Sequence, residues 1–171
     1  QLDEMHEELE YRFLSLLALQ APVAGELRTI VSGIRVVFEL ARMGDLAAHV
    51  AKVARLRYPE PAIPEELRGN FSRMAELSKD MMHRTVNILS DNDTEAAVDM
   101  AIVDAEMDEL RRDHFSKVLA TGWGGSAEQA IDVALVGRYL ERFADHAVAV
   151  ARRVIYITTG ETPEGEDWPN A

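Results

Sequence analysis

Apolar residues recur near the end of the chain at alternating spacings of three and four: Val133, Val136, Leu140, Phe143, Ala147, Val150 and Val154. That rhythm is the seam of a helix packed in a bundle. A matching stripe runs through Val36, Leu40, Met43, Ala47, Val50 and Ala54. Set one hundred residues apart, the two segments also share Arg42 with Arg142 and Asp45 with Asp145. The chain therefore reads as an internal duplication. No alternating β-branched run between turns signals a strand, so the expected class is all-α.

Breakers divide the pattern into five helices. The first is expected from about Leu2 to Gln20, and Pro22 suits a first helical position for the second, which runs to about Tyr58. RYPEPAIPEE then interrupts with Pro59, Pro61 and Pro64. Pro64, Glu65 and Glu66 suit the start of a third helix, with acids at the positive end of its dipole, ending near Ser90. SDNDT offers N-caps for a fourth helix, to about Ala120. TGWGG breaks again, and Ser126 with Gln129 has capping-box spacing for a last helix to about Thr158. At 1.5 Å per residue that helix is roughly 50 Å long. This divides the chain into an incomplete two-helix repeat (1–58), a proline-rich linker (59–64), a three-helix repeat (65–158) and a tail (159–171) expected to be disordered. The chain starts without a methionine, inside a helical pattern, and reads as part of a longer protein.

Composition narrows the function. Of 171 residues, 47% are hydrophobic and 28% charged, enough for both a core and a soluble surface. The formal net charge of −12 argues against nucleic acid and anionic lipid as partners, because both are held largely by Lys and Arg. An acidic protein can still dock on a basic protein surface. No apolar run spans a bilayer, so direct membrane insertion is not expected. There is no cysteine, which removes thiolate metal sites and suits a reducing compartment.

The candidate chemistry lies in acids. Glu141 and Asp145 are four apart, on one helical face, beside small or apolar Ala134, Gly137 and Val148. Two carboxylates in that setting repel, and arginines, protons or metal ions must compensate. Asp104 and Asp108 repeat the spacing on the preceding helix, which a short loop should fold back antiparallel. Four carboxylates suit Mg²⁺, Mn²⁺, Fe or Zn. The plainer reading is a solvated acidic face, with Arg112 and Arg142 as ordinary ion-pair partners. The histidines His49, His83, His114 and His146 are scattered, and none follows a glutamate by three, so di-iron oxidase chemistry is not expected. Asp80 and His83 read as a surface pair, and Trp123 as a packing plug among turn glycines. No phosphate loop or nucleophile elbow is present.

LLALQAPVAGELRTIVSGIRVVFELARMGDLA and RYLERFADHAVAVARRV resemble the PhoU family of phosphate-transport regulators. The resemblance covers Leu2 to Thr158. It implies a tandem repeat of two three-helix bundles, the first helix of the first bundle being missing. It also implies multinuclear metal clusters on acid-x-x-x-Asp pairs. Glu141 and Asp145 match that motif, and Asp104 and Asp108 match its companion. In the first half Asp45 is present, but Ala41 replaces the usual glutamate, and Asp3 matches only the second companion acid. Glu39 lies roughly 200° round the helix from Ala41 and cannot simply substitute. The resemblance further implies a non-enzymatic, cytoplasmic negative regulator of phosphate uptake and of the phosphate-starvation response. Its partners would be the phosphate ABC transporter's ATPase subunit and a sensor histidine kinase, and a homodimer is expected. The rival readings are a carboxylate-bridged metalloenzyme and a purely structural bundle.

Overall fold

The structure, a computed structural model, describes residues 1–161. Five helices follow in order: α1 Leu2–Gln20, α2 Ala24–Arg57, α3 Glu65–Asp91, α4 Thr94–Leu119 and α5 Ala127–Thr159. No strand occurs among the described residues. The part of the expected tail beyond Glu161 lies outside them.

Local chemistry sets the ends. Asn92 closes α3 in a left-handed conformation, and the Asp93 side chain caps α4 by accepting from the amide of Ala96. Ser126 and Gln129 form the expected capping box at the start of α5. The expectation for Pro22 fails. Left-handed Ala21 closes α1, α2 starts at Ala24, and Pro22 stiffens the connector between them.

Packing is organised by α5. It lies against α4 and α3 on one side and against α2 on the other, while α1 packs on α2 alone. The C-terminal three helices close one core around Leu67, Met74, Met81, Ile88, Met100, Met107 and Val133. Ala144, Ala147 and Ala151 line the α5 side of it and let the long helices approach closely. Methionines fill the irregular gaps that remain, which suits an unbranched, adaptable side chain. Ser78 and Thr85 are buried on α3 and return their hydroxyls to the carbonyls of Met74 and Met81, so neither is left unsatisfied.

The seam expected on α5 is the one observed: Val133, Val136, Ala147, Val150 and Val154 are buried, with Leu140 and Phe143 packed beside them. The seam expected on α2 needs correcting. Ala47 and Ala54 are exposed, and Leu46 and Val53 are buried instead. Each shift of one residue turns the stripe by about 100°. The cause is the number of partners: α5 is buried by three helices, whereas α2 meets only α1 and α5.

α2 and α5 run antiparallel and are joined along their length. At one end Arg57 reaches Asp132 and Glu128. At the other, Arg28 donates to the Ile157 carbonyl at 3.2 and 3.3 Å and lies over the Tyr156 ring. Between them the His49 ring packs at a tilt against Tyr139, and His146 Nδ1 pairs with Glu39. These contacts make the two repeats one packed body.

Candidate functional site

The sequence pointed to two acid pairs, and both lie along the groove between α4 and α5. Asp104 and Asp108 stand one turn apart on α4, and Glu141 and Asp145 one turn apart on α5. Arg111 continues the α4 row at a spacing of three, and Arg138 precedes the α5 row by three. Because the helices are antiparallel, both arginines fall at the same end. Each reaches Glu141: Arg138 Nη1 lies 2.6 Å from Oε1, and Arg111 Nη1 lies 3.3 Å from the same oxygen. The Glu141 side chain is only 8% exposed.

The other end holds Asp104 and Asp145. The Asp104 carboxyl is pushed up to about 6, first by burial and then by the charges of Asp145, Asp108 and Glu141, with Arg152 pulling it back. Glu141 is raised too, by burial and by Asp145, despite its two arginines. The four acids thus meet four arginines: Arg111 and Arg138 at Glu141, Arg142 at Asp145 and Arg152 beside Asp104. Asp145 is half-exposed and accepts from Arg142 at 3.1 Å.

The first repeat copies part of this. Arg42 donates to Asp45 at 3.1 Å, as Arg142 does to Asp145. Asp45 is exposed, and so is Asp3 on α1. Glu39 does not join Asp45. It faces α5 and pairs with His146, which agrees with its angular distance from Ala41. Glu39 also helps to hold Arg153, whose guanidinium is pushed down to about 10, first by burial and then by nearby Arg35.

The remaining assignments divide. Arg112 makes no side-chain pair with the acids; its Nε donates to the Asp108 carbonyl at 3.3 Å. Asp80 pairs with Arg84 at 2.7 Å, and His83 is exposed. Trp123 packs against the core as a plug. His114 is buried with neither ring nitrogen in a well-formed hydrogen bond, the Leu110 carbonyl being only a weak partner, and its ring lies between Phe71 and Phe115 and against Gly137. Sequence reasoning missed Arg111 and Arg138. Their signal was available: each continues its acid row at a helical spacing, but only the antiparallel pairing shows that both meet at one glutamate.

The donor set fits a hard cation. All four candidate groups are carboxylates, and Asp104 is half-buried among like charges. As the side chains stand, no group of three acids or histidines among the described residues is placed to hold one ion.

Comparison with known proteins settles the family. A family model for the PhoU domain matches residues 1–54 and 71–154, one stretch in each repeat. The chain belongs to the PhoU family. It is 46% identical over 156 residues to the phosphate-specific transport system accessory protein PhoU homolog 1 of Mycobacterium leprae, covering 91% of this chain and 70% of that one. It is 47% identical over 148 residues to PhoU homolog 2 of Mycobacterium tuberculosis, covering 86% and 70%. Among solved structures, the phosphate transport system regulatory protein PhoU of Streptococcus pneumoniae superposes with a TM-score of 0.84 at 25% identity, over 95% of this chain and 76% of that one. PhoU of Pseudomonas aeruginosa superposes at 0.85 with 23% identity, over 94% and 78%, a likeness of fold alone. The tandem helical bundle is therefore the PhoU fold, and its family is one of transport accessory and regulatory proteins, not of known enzymes.

Proposed function

We propose that this protein is a negative regulator of phosphate uptake and of the phosphate-starvation response. It acts as a cytoplasmic adaptor, without turnover, between the phosphate ABC transporter's ATPase subunit and a sensor histidine kinase. The observation that carries the reading is the 46% identity, over most of the chain, to an accessory protein of phosphate-specific transport. The geometry is compatible with it. Two repeats joined through α2 and α5 present long helical faces, and no helix among the described residues is long and apolar enough to cross a membrane. With a net charge of −12, the partners should offer basic patches.

The same reading includes metal. Asp104, Asp108, Glu141 and Asp145 would hold Mg, Mn, Fe or Zn ions in the α4–α5 groove. Asp45 with Asp3 would form a weaker site, since Ala41 supplies no ligand. A bound cation would offset the burial and mutual repulsion that raise Asp104. A homodimer is part of the proposal.

The test is capture of the ATPase subunit and of the kinase's cytoplasmic domain by the purified protein, at high and low phosphate. Deletion in the host should leave starvation genes on in rich phosphate. Failure of both partners to bind at micromolar concentration, with phosphate control intact in the deletion strain, would sink the adaptor reading.

A further inference from the structure

Glu141 is the most enclosed of the four groove acids, and its present partners are guanidinium groups. Arg138 Nη1, from the preceding turn of α5, reaches both carboxylate oxygens, and Arg111 Nη1, from α4, reaches Oε1. Both arginines have solvent beside them. Their side chains are 48% and 36% exposed, so each can swing to solvent. Arg111 is also poorly satisfied: its Nε is buried without a hydrogen-bond partner, and its guanidinium rests over the Phe115 ring. An orphaned donor makes that position easier to leave. Meanwhile the groove acids, chemically suited to a cation, are not gathered round any one point.

We propose that Arg111 and Arg138 are built-in competitors of the groove metal: they occupy Glu141, and the protein binds a cation there by exchanging guanidinium for metal on that one carboxylate. This inference rests on the metal reading above and adds what sets its affinity. The two arginines hold Glu141 at one end of the groove, whereas Asp104 and Asp145 stand at the other, beside Arg152 and Arg142. Release of Glu141 lets it turn toward those acids. The arginines then project from the groove edge, so metal occupancy is converted into a change of surface charge beside α4 and α5. A face that gains two free guanidiniums is a different surface for a protein partner.

The experiment is Mn²⁺ titration by electron paramagnetic resonance, on the wild-type chain, Arg138→Gln, Arg111→Gln and their double variant. Circular dichroism checks folding, and Arg84→Gln on α3 serves as a remote charge control. Removing the competitors should tighten Mn²⁺ binding, by about tenfold in the double variant, or about 1.4 kcal/mol. Arg84→Gln should change it little. A second cycle separates exchange on Glu141 from bulk charge: in a Glu141→Gln background, losing Arg138 should give almost no gain. Mn²⁺ affinity that is unchanged or weaker in the arginine variants would overturn the exchange and leave the metal reading standing. A gain that persists undiminished without Glu141 would overturn it too. If no variant binds Mn²⁺, the metal reading fails and the exchange falls with it. A wild type that binds no Mn²⁺ beside an Arg138→Gln that does would support the competition directly.

Discussion

Arg57 grips Asp132 with two nitrogens, Nε on one carboxylate oxygen and Nη2 on the other at 3.1 Å, and so fastens the last turn of α2 to the second turn of α5. Asp132 is buried, with only 5% of its side chain exposed, while Arg57 also reaches the exposed Glu128. A buried carboxylate tolerates its site because it is paired; removing the partner leaves the charge stranded. Arg57→Met should therefore lower the melting temperature by several degrees. Arg57→Met with Asp132→Leu should recover most of the loss, since the stranded charge is gone. Calorimetry on the four proteins of the cycle checks this. A single variant as stable as wild type would show that the join is carried by apolar contacts alone.

Two helical glycines should respond in opposite directions. A Cβ added to Gly137 would lie 2.4 Å from both Cε1 and Nε2 of His114, a ring wedged in the core. Gly137→Ala should cost about 1–3 kcal/mol, as overpacked cores do. At Gly69, near the start of α3, an added Cβ meets nothing within 4 Å. Gly69→Ala should stabilise by about 0.5–1 kcal/mol through helix propensity. Urea denaturation of both variants reads the sign directly.

Much of this was legible in the chain itself, and the limits have physical reasons. Proline and glycine clusters act locally, so helix ends emerge within one or two residues, including the Ser126–Gln129 box. The α5 seam was readable because a helix buried by three neighbours obeys its period closely. The α2 seam slipped, at Leu46 and Val53, because burial there depends on which neighbours are present. The acid pairs were visible as i,i+4 spacings. Arg138 stands three residues from Glu141, a spacing visible in the chain, but the reach of Arg111 to Glu141 and the Glu39–His146 contact join residues 30 and 107 positions apart on facing helices, and no local rhythm encodes them.

His114 gives the fold an acid-sensitive point. Burial lowers its pKa first of all; Arg111 and Lys117 push the same way, and the Leu110 carbonyl and Asp113 offset this only in part. Phe71 from α3 and Gly137 from α5 enclose the ring and bring no charge of their own. The sign follows from linkage. With its pKa depressed in the folded state, the imidazole binds a proton more readily when unfolded, so stability is present above the unfolded value, about 6.5, and falls as pH drops below it. His114→Leu should flatten the change in melting temperature between pH 7 and pH 5.5. An unaltered slope in that variant would mean that other groups govern the acid limb.

Asp104 should show the reverse trend. Its carboxyl is raised to about 6 from 3.8, chiefly by burial, then by Asp145 and Asp108. The folded protein then holds this proton in a range where the unfolded chain has lost it. Its contribution to stability declines as pH rises from about 4 to 6, and above that range the ionised group is a standing cost. In chelator-treated protein at pH 7.5, Asp104→Asn should therefore stabilise. The position is half-buried, so solvent screening reduces the full value of the shift, and about 1 kcal/mol is expected. That is roughly 2–4 °C in melting temperature for a chain of this size. At pH 4 the gain should vanish, because Asp104 is then protonated in the folded protein. Excess Mn²⁺ should invert the ranking: a ligand bound only by the folded state stabilises wild type, and the amide variant has given up a charged ligand. Asp45→Asn is the comparison. Asp45 is exposed and paired with Arg42, and its repeat lacks the matching acid at Ala41, so both effects should be small. If Asp104→Asn loses stability in chelator at pH 7.5, the groove is better compensated than its charges imply. If Mn²⁺ stabilises wild type and Asp104→Asn equally, Asp104 is not among the ligands.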